Sequence, residues 1–197
     1  DRTIDAAVVV SAVPWYAFDR LWDPAPPAGL ATIAAHAASM KGAPIVTVHL
    51  WGDPLVGKAV DVPSVGLVGG PMHWVFNHAA IAARGATHLS VVASGAEDLV
   101  RMENDQITAA AVAQLGRAVP ALRAHAFRHA VVVRERHATF SLAPGGPPRP
   151  GAVTPLPGLF IAGDWTDTGL PGTIESAVQS GHAAAAAALS ASPCVPM

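Results

Sequence analysis

The segment from Leu159 to Gly181 constrains the fold of this chain more than any other part of the sequence. An apolar run ends at Gly163-Asp164, a turn rich in glycine and proline follows, and small residues with helical character begin after Gly172. This order predicts a buried strand that ends at a carboxylate, with a helix N-terminus a few residues further on. We therefore expect an α/β (mixed α+β) fold with a binding site at this corner.

The predicted helix start suits a ligand that carries phosphate or other electron-rich groups. Backbone N–H groups at about residues 172–174 have no partner within a helix, and they bear the positive end of the helix dipole. A simpler interpretation is an ordinary strand–turn–helix unit in which Asp164 caps the turn. A bare Gly-Asp pair before a helix fits that interpretation, but the full string is more specific.

Composition excludes several classes of protein. The chain has 197 residues, 51% of them hydrophobic, which suffices for one compact domain or parts of two. The net charge is −2, so the chain lacks the excess positive charge that is typical of nucleic-acid-binding proteins. The single cysteine, Cys194, excludes an internal disulfide, and the cytoplasm is the expected location. The alanine-rich run at 183–189 is too short to span a bilayer.

Apolar patterns elsewhere predict strands and helices in a mixed order. Residues 6–13 form a β-branched run that is typical of a buried strand in a parallel or mixed sheet. A helix is predicted from Asn104 to about Ala118, with Asn104-Asp105 as its cap and Pro120 beyond its end. Further predicted helices lie at 15–22 and 30–40, and further predicted strands at 44–50, 65–68, 73–76, 88–93, 130–133 and 138–140. The strands between 44 and 93 favour an antiparallel meander with one covered face.

The string from Gly163 to Glu175 resembles the C-terminal flavin-binding motif of the FAD-dependent amine oxidase and phytoene desaturase superfamily. There a Gly-Asp pair ends a strand, and a Gly-x-Pro-Gly-[Ser/Thr]-Ile-Glu-x-Ala turn opens the last helix. Within the superfamily, Gly-Asp-Trp-Thr-Asp-Thr-Gly-Leu-Pro resembles the hydroxysqualene dehydroxylase family of squalene and hopanoid synthesis. Other stretches that are similar to this family are SAVPW at 11–15, VHLW at 48–51, GGP at 69–71, WVF at 74–76 and RHATF at 136–140. The resemblance covers nearly the whole chain, as the C-terminal half of such an enzyme.

The resemblance implies FAD as cofactor and assigns its site. Asp164 would accept a hydrogen bond from a ribityl or nearby hydroxyl, and the amides at 172–174 would face the pyrimidine end of the isoalloxazine ring. The residues that the resemblance places at the cofactor are Val13, Pro14, Trp15, Gly163, Asp164, Trp165, Gly172, Thr173 and Ile174. No catalytic residue is identified.

The resemblance also implies a Rossmann-like FAD-binding domain, present in part, with an inserted substrate domain containing an antiparallel sheet. Residues 1–15 would supply a strand of the FAD domain, 16–142 the substrate domain, 143–190 the C-terminal FAD segment and 191–197 a tail. The chain has no Gly-x-Gly, so the turn that holds the pyrophosphate would lie in a missing N-terminal half. We expect that the chain alone does not retain FAD.

By resemblance the parent enzyme would convert hydroxysqualene, a polyisoprenoid, to squalene, and it would contact the inner membrane face peripherally. A carotenoid desaturase and a flavin amine oxidase are the alternatives. The amine oxidase is disfavoured because such enzymes usually need an aromatic pair and a lysine at the flavin. This chain has one tyrosine, Tyr16, and two lysines, Lys41 and Lys58. A truncated, non-catalytic module is the third alternative.

Other candidate residues carry weaker signals. Trp51, Trp74 and Phe76 could line an apolar channel, although packing in the core is the preferred interpretation. His125 and His129 have the spacing of a helical metal pair, but no third ligand stands nearby, and we expect no metal site. Carboxylates at 97–98 and 103–105 are interpreted as a solvated helix entry, with a catalytic pair as the less favoured alternative. The arginines at 134 and 136 are interpreted as an exposed strand face or a substrate contact.

Overall fold

The structure, a computed structural model, describes residues 3–53, 55–82 and 88–191. The chain divides into two compact units, which we call the terminal unit (residues 1–42 and 139–197) and the central unit (residues 43–138). These boundaries differ from the predicted ones at 15/16 and 142/143. The difference arises because Phe18 and Ala34 share a hydrophobic cluster with Ile161 and Trp165, which ties residues 16–42 to the terminal unit.

The terminal unit is built on two parallel strands. Strand β1 (Val9–Ser11) pairs with β7 (Leu159–Ile161), so that Val9 lies opposite Leu159. Helix α6 (Ile174–Ala191) packs its alanines against Phe160. The predicted strand at 6–13 is shorter than expected, and Val9 and Val10 are exposed rather than buried. They are exposed because the sheet of this unit has only two strands in the described ranges, which leaves most of β1 uncovered.

Two further α-helices lie in the described part of this unit. They are α1 (Trp15–Phe18) and α2 (Ala31–Ser39), both near their predicted positions. Pro14 precedes α1 in extended conformation, as a residue without an N–H group commonly does at a helix start. The buried residues of these two helices form one hydrophobic cluster with Phe140, Ile161 and Trp165.

The central unit contains a five-stranded sheet in the order β3-β4-β5-β2-β6. Its strands are β2 (Gly42–Gly52), β3 (Ser64–Gly66), β4 (Trp74–Asn77), β5 (His88–Ser94) and β6 (Phe127–Phe140). The first four pair antiparallel, as predicted. The order departs from a plain meander because β2 lies between β5 and β6, and the two strands predicted at 130–133 and 138–140 are one continuous strand.

One face of this sheet is covered, in agreement with the prediction. Val46, Val48 and Leu50 are fully buried, whereas the alternate residues of β2 remain half-buried. The cover is α5 (Asn104–Ala118), which packs Ile107, Ala111 and Leu115 into the same core. Two short helices, α3 (Val56–Ala59) and α4 (His78–Ala82), follow β2 and β4.

The N-cap of helix α5 lies one residue before the predicted cap. Glu103, and not Asn104-Asp105, is the N-cap, and it forms a capping box with Gln106. The Glu103 carboxylate at this helix entry thus has a structural role. In the described part of the chain, no helix is both long and apolar enough to cross a membrane.

Candidate functional site

The candidate site in the terminal unit is the corner that follows β7. Gly163 has a φ of 140°, and a Cβ at this position would lie 2.8 Å from Cδ1 of Trp165. Glycine is therefore required for the chain to turn here. The Gly163 amide donates a hydrogen bond to Oγ of Ser180 at 2.7 Å, which ties the strand end to α6.

Trp165 joins the ends of the two parallel strands. Its side chain is fully buried, and its Nε1–H donates to the Val13 carbonyl at 2.9 Å. The amide of Ala162 donates to the Ser11 carbonyl at 2.9 Å. The segment 13–15 is therefore held beside the Gly163-Asp164 pair, as a shared site requires.

The start of α6 forms the third side of the corner. A Cβ on Gly172 would come within 3.1 Å of Oδ2 of Asp164 and of Cε1 of Phe140, so a larger residue would crowd the carboxylate. The Thr173 hydroxyl accepts a hydrogen bond from the Ser176 amide at 3.1 Å and caps the helix, and Ile174 is exposed. No hydrogen bond joins the amides of 172–174 to a described residue.

Asp164 and Ser11 carry the polar side chains of this corner that would meet a ligand. Burial raises the pKa of the Asp164 carboxyl, while the backbone amides of Asp164 and Trp165 oppose that shift. Among the described residues, no cation forms an ion pair with Asp164. Oγ of Ser11 is buried with no hydrogen-bond partner in the described part of the chain. A ligand rich in hydroxyl and ring polar groups would satisfy both residues.

Sequence reasoning missed the residues that support the corner. Oγ of Ser176 donates to the Asp164 carbonyl at 3.2 Å, and Ser180 holds Gly163 from one turn further along α6. Arg149 donates to the Leu170 carbonyl at 2.7 Å and so braces the turn before the helix. The two serines, four residues apart on an alanine-rich helix, were the sequence signal for a polar buried face.

The aromatic residues predicted at a substrate channel lie on the half-exposed face of the central sheet. Trp51 is half-buried on β2, Trp74 is 48% exposed on β4, and Phe76 follows Trp74 on the same face. None of the three belongs to the hydrophobic core of this unit. The preferred interpretation as core residues is therefore wrong.

The predicted helical histidine pair is not on a helix. His125 lies at the end of a 3-10 turn, Pro120–Ala124, where its Nδ1 pairs with Oδ2 of Asp53 at 3.0 Å. His129 lies on β6. Three other histidines, His49, His78 and His88, converge instead, and no spacing in the sequence brings them together.

Of the two arginines, Arg134 and Arg136, that were considered as an exposed strand face or a substrate contact, Arg134 has structural partners. Arg134 donates to Oδ1 of Asn104 at 2.6 Å and to the Met102 carbonyl at 2.7 Å. It thereby holds the entry of α5 against β6.

Comparison with known proteins identifies a family for this chain. The family model described as "Flavin containing amine oxidoreductase" matches residues 1–189. Hydroxysqualene dehydroxylase from Rhodopseudomonas palustris is 37% identical over 133 residues, covering 64% of this chain and 28% of the relative. Its namesake from Sinorhizobium fredii is 37% identical over 150 residues, covering 74% and 32%. The chain thus spans less than a third of the length of these relatives.

A solved structure agrees at the level of the fold. Cyclohexylamine oxidase from Brevibacterium oxydans superposes with a TM-score of 0.65 at 15% identity, over 96% of this chain and 44% of that one. The predicted α/β fold is confirmed, and the family model that matches this chain is described as flavin-containing. With a family match over almost its full length, the chain belongs to the flavin-containing amine oxidoreductases.

Proposed function

We propose that this chain is the C-terminal part of an FAD-dependent oxidoreductase that removes the hydroxyl group of hydroxysqualene to give squalene. The observation that carries the proposal is the 37% identity to two hydroxysqualene dehydroxylases over most of the chain. The same family resemblance is carried by the Gly163-Asp164 corner and the turn before α6.

The residues of the corner fit FAD. The buried Ser11 hydroxyl lacks a hydrogen-bond partner in the described ranges, and the Asp164 carboxyl, although backbone amides act on it, has no ion-pair partner there. Both side chains suit a ligand with several hydroxyl groups. The tight space at Gly172 keeps a side chain out of the place where a flat ring would approach the backbone. Reduced FAD, when bound, supplies the two electrons and the hydrogen that replace the leaving hydroxyl.

The chain's own residues would orient the flavin and favour its reduced form. Asp164 would accept a hydrogen bond from a ribityl or neighbouring hydroxyl. The amides of 172–174, at the positive end of α6, would stabilise negative charge on the pyrimidine side of the ring. Val13, Pro14 and Trp15 would pass beside the cofactor, held there by Trp165.

The central unit offers the apolar surface that a polyisoprenoid requires. Trp74 and Phe76 stack with ring centroids 6.3 Å apart on the half-exposed sheet face, and Trp51 lies on the same face. We propose that these side chains contact the hydrocarbon substrate. Association with the inner membrane face, from which such a substrate would be drawn, and a cytoplasmic location belong to the same proposal.

The alternatives differ in redox direction and in substrate. A carotenoid desaturase would use the same corner to remove hydrogen from a polyene. An amine oxidase has less support, because the likeness to cyclohexylamine oxidase concerns the fold alone, and the chain has only Tyr16, Lys41 and Lys58 for an amine site. A non-catalytic module would bind neither substrate.

The test joins this chain to an N-terminal half that carries the Gly-x-Gly-x-x-Gly motif. With hydroxysqualene and a flavin reductant, we expect squalene. Failure to form squalene, with consumption of phytoene instead, would favour the desaturase. Consumption of neither would favour the non-catalytic module.

A matched pair of variants tests the FAD site. In the joined protein, we expect Asp164→Asn to weaken FAD binding about tenfold, which corresponds to about 1.4 kcal/mol. Asp167→Asn, three residues away at an exposed position, should leave the FAD affinity unchanged. Equal affinities in the two variants would contradict the assignment of Asp164.

A further inference from the structure

Three histidines converge on the half-exposed face of the central sheet. His49 lies on β2, His88 on β5, and His78 is the first residue of α4, immediately after β4. Cross-strand pairing places His49 opposite Ser90 and Trp51 opposite His88, so these four side chains share one face. One ring nitrogen from each histidine lies within 4.8 Å of those of the other two.

The contacts within this histidine cluster are close. Nδ1 of His49 is 3.0 Å from Nε2 of His88 and 3.0 Å from Oγ of Ser90. Oγ of Ser90 is also 2.6 Å from Nε2 of His78. One small volume is thus surrounded by three imidazole nitrogens and the Ser90 hydroxyl oxygen. The distances between these atoms are short enough for one ion to bind them together.

Ring stacking sets the orientation of two of the imidazoles. His88 stacks on His78 with centroids 4.1 Å apart and planes 8° from parallel, and Trp51 stacks on the other side of His88 at 4.4 Å and 7°. The backbone positions of His49 and His88 are fixed by paired strands, which preorganises two of the three nitrogens.

We propose that His49, His78 and His88 bind one divalent transition-metal ion of the zinc class. Zinc accepts imidazole nitrogens at about 2.0–2.1 Å in a tetrahedral arrangement, and three protein ligands leave one position for water or for the Ser90 hydroxyl. Because the lone pair of a ligating nitrogen lies in the ring plane, one of the two stacked rings turns about its Cβ–Cγ bond on binding.

The chemistry of the cluster favours this ion over its competitors. In the described part of the chain, the cluster contains imidazoles and no carboxylate, a donor set that suits Zn²⁺, Cu²⁺ and Ni²⁺ rather than Mg²⁺ or Ca²⁺. Burial, with His78 as a second cause, lowers the pKa of His49 and brings that of His88 to about 4. Both rings are therefore neutral at pH 7, as metal ligation requires.

The experiment measures Zn²⁺ binding to the untagged chain of 197 residues. After equilibrium dialysis against Zn²⁺, we expect one bound ion per chain, and Co²⁺ in its place should give the visible absorption of a tetrahedral nitrogen site. His49→Gln and His78→Gln should each weaken binding by roughly 100-fold or more, since each removes a direct ligand. His73→Gln, an exposed histidine of the same unit, should bind Zn²⁺ like the unchanged chain.

Circular dichroism separates loss of the site from loss of the fold. The unchanged chain should gain thermal stability with Zn²⁺, and the folded His78→Gln variant should not. The proposal is overturned if the unchanged chain binds no Zn²⁺ saturably, if folded His78→Gln retains the original affinity, or if His73→Gln loses as much affinity as the ligand variants. Neither the metal stoichiometry nor the cobalt spectrum depends on flavin or substrate, so the result is independent of the function proposed above.

Discussion

Replacing Trp165 by phenylalanine tests how the two strand ends of the candidate FAD site are held together. The Trp165 side chain is fully buried against Phe18, with ring centroids 5.6 Å apart. Its Nε1–H donates the 2.9 Å hydrogen bond to the Val13 carbonyl. Phenylalanine keeps an aromatic ring in this position but removes the donor and part of the ring.

Two losses add to the expected cost. The unpaired carbonyl of Val13 costs about 1–3 kcal/mol. Phenylalanine also lacks two of the buried ring carbons, which contribute about 1.6 kcal/mol more at roughly 0.8 kcal/mol per carbon group. We expect the free energy of unfolding to fall by about 3–5 kcal/mol, and the Tm by roughly 6–20 °C.

Urea unfolding followed by far-ultraviolet circular dichroism measures this change, with Trp22→Phe as the matched control. The same atoms are removed there, but Nε1 of Trp22 is buried without a partner among the described residues. Removing this unpaired donor also removes the free-energy penalty of its burial, which offsets the lost packing contacts. Trp22→Phe should therefore lower the free energy of unfolding by less than about 1 kcal/mol. If Trp22→Phe costs as much as Trp165→Phe, the hydrogen bond to Val13 does not hold the corner.

Three further outcomes follow from the structure. Gly163→Ala should lower the free energy of unfolding by about 1–3 kcal/mol, because Gly163 has a positive φ and lies against the Trp165 indole. Gly151→Ala, with open space around it, should change the free energy of unfolding by less than about 0.5 kcal/mol; equal Tm values for the two variants would contradict this. The Gln114 side chain accepts a hydrogen bond from the Met72 amide at 2.9 Å and donates one to the Met72 carbonyl at 2.8 Å. Gln114→Leu leaves both buried groups without a partner and should lower the free energy of unfolding in urea by about 2–5 kcal/mol; an unchanged free energy would contradict this. Since burial lowers the pKa of His88 to about 4 from 6.5, its stabilising contribution is complete above pH 6.5 and lost as the pH falls towards 4; an NMR titration midpoint near 6.5 would refute this.

The sequence was sufficient for the corner itself. The apolar run at β7 ends at glycine, and the Gly/Pro turn precedes a helix, so each element is specified by local residues. Helix α5 was predicted over its full length for the same reason. Its N-cap lies one residue before the predicted one because Glu103 forms a capping box with Gln106. Residue preferences at the N-cap favour Asn over Glu, and they therefore pointed to Asn104.

Contacts across strands could not be predicted in the same way. The charged residues at 134–136 interrupt an apolar run and suggested two strands, yet β6 is continuous. Arg134 has its partners at the entry of α5, 30 and 32 positions away. The histidine cluster depends on the register of β2 against β5, which no local pattern fixes. The hydrogen bond from Arg149 to the Leu170 carbonyl was also missed, because it joins residues 21 positions apart and no local pattern indicates it.

The interruption of the terminal unit by the central unit has a consequence for the order of folding. The hydrogen bond between Trp165 and Val13 spans 152 positions, which makes it a slow contact for an unfolded chain to form. The central unit is continuous in sequence, and it begins on β2 and ends on the neighbouring β6. Its folding would therefore bring residues 42 and 139 close together and shorten the loop that β1 and β7 must close. Pulse-labelled hydrogen exchange during refolding would then show protection of β5 before protection of β7.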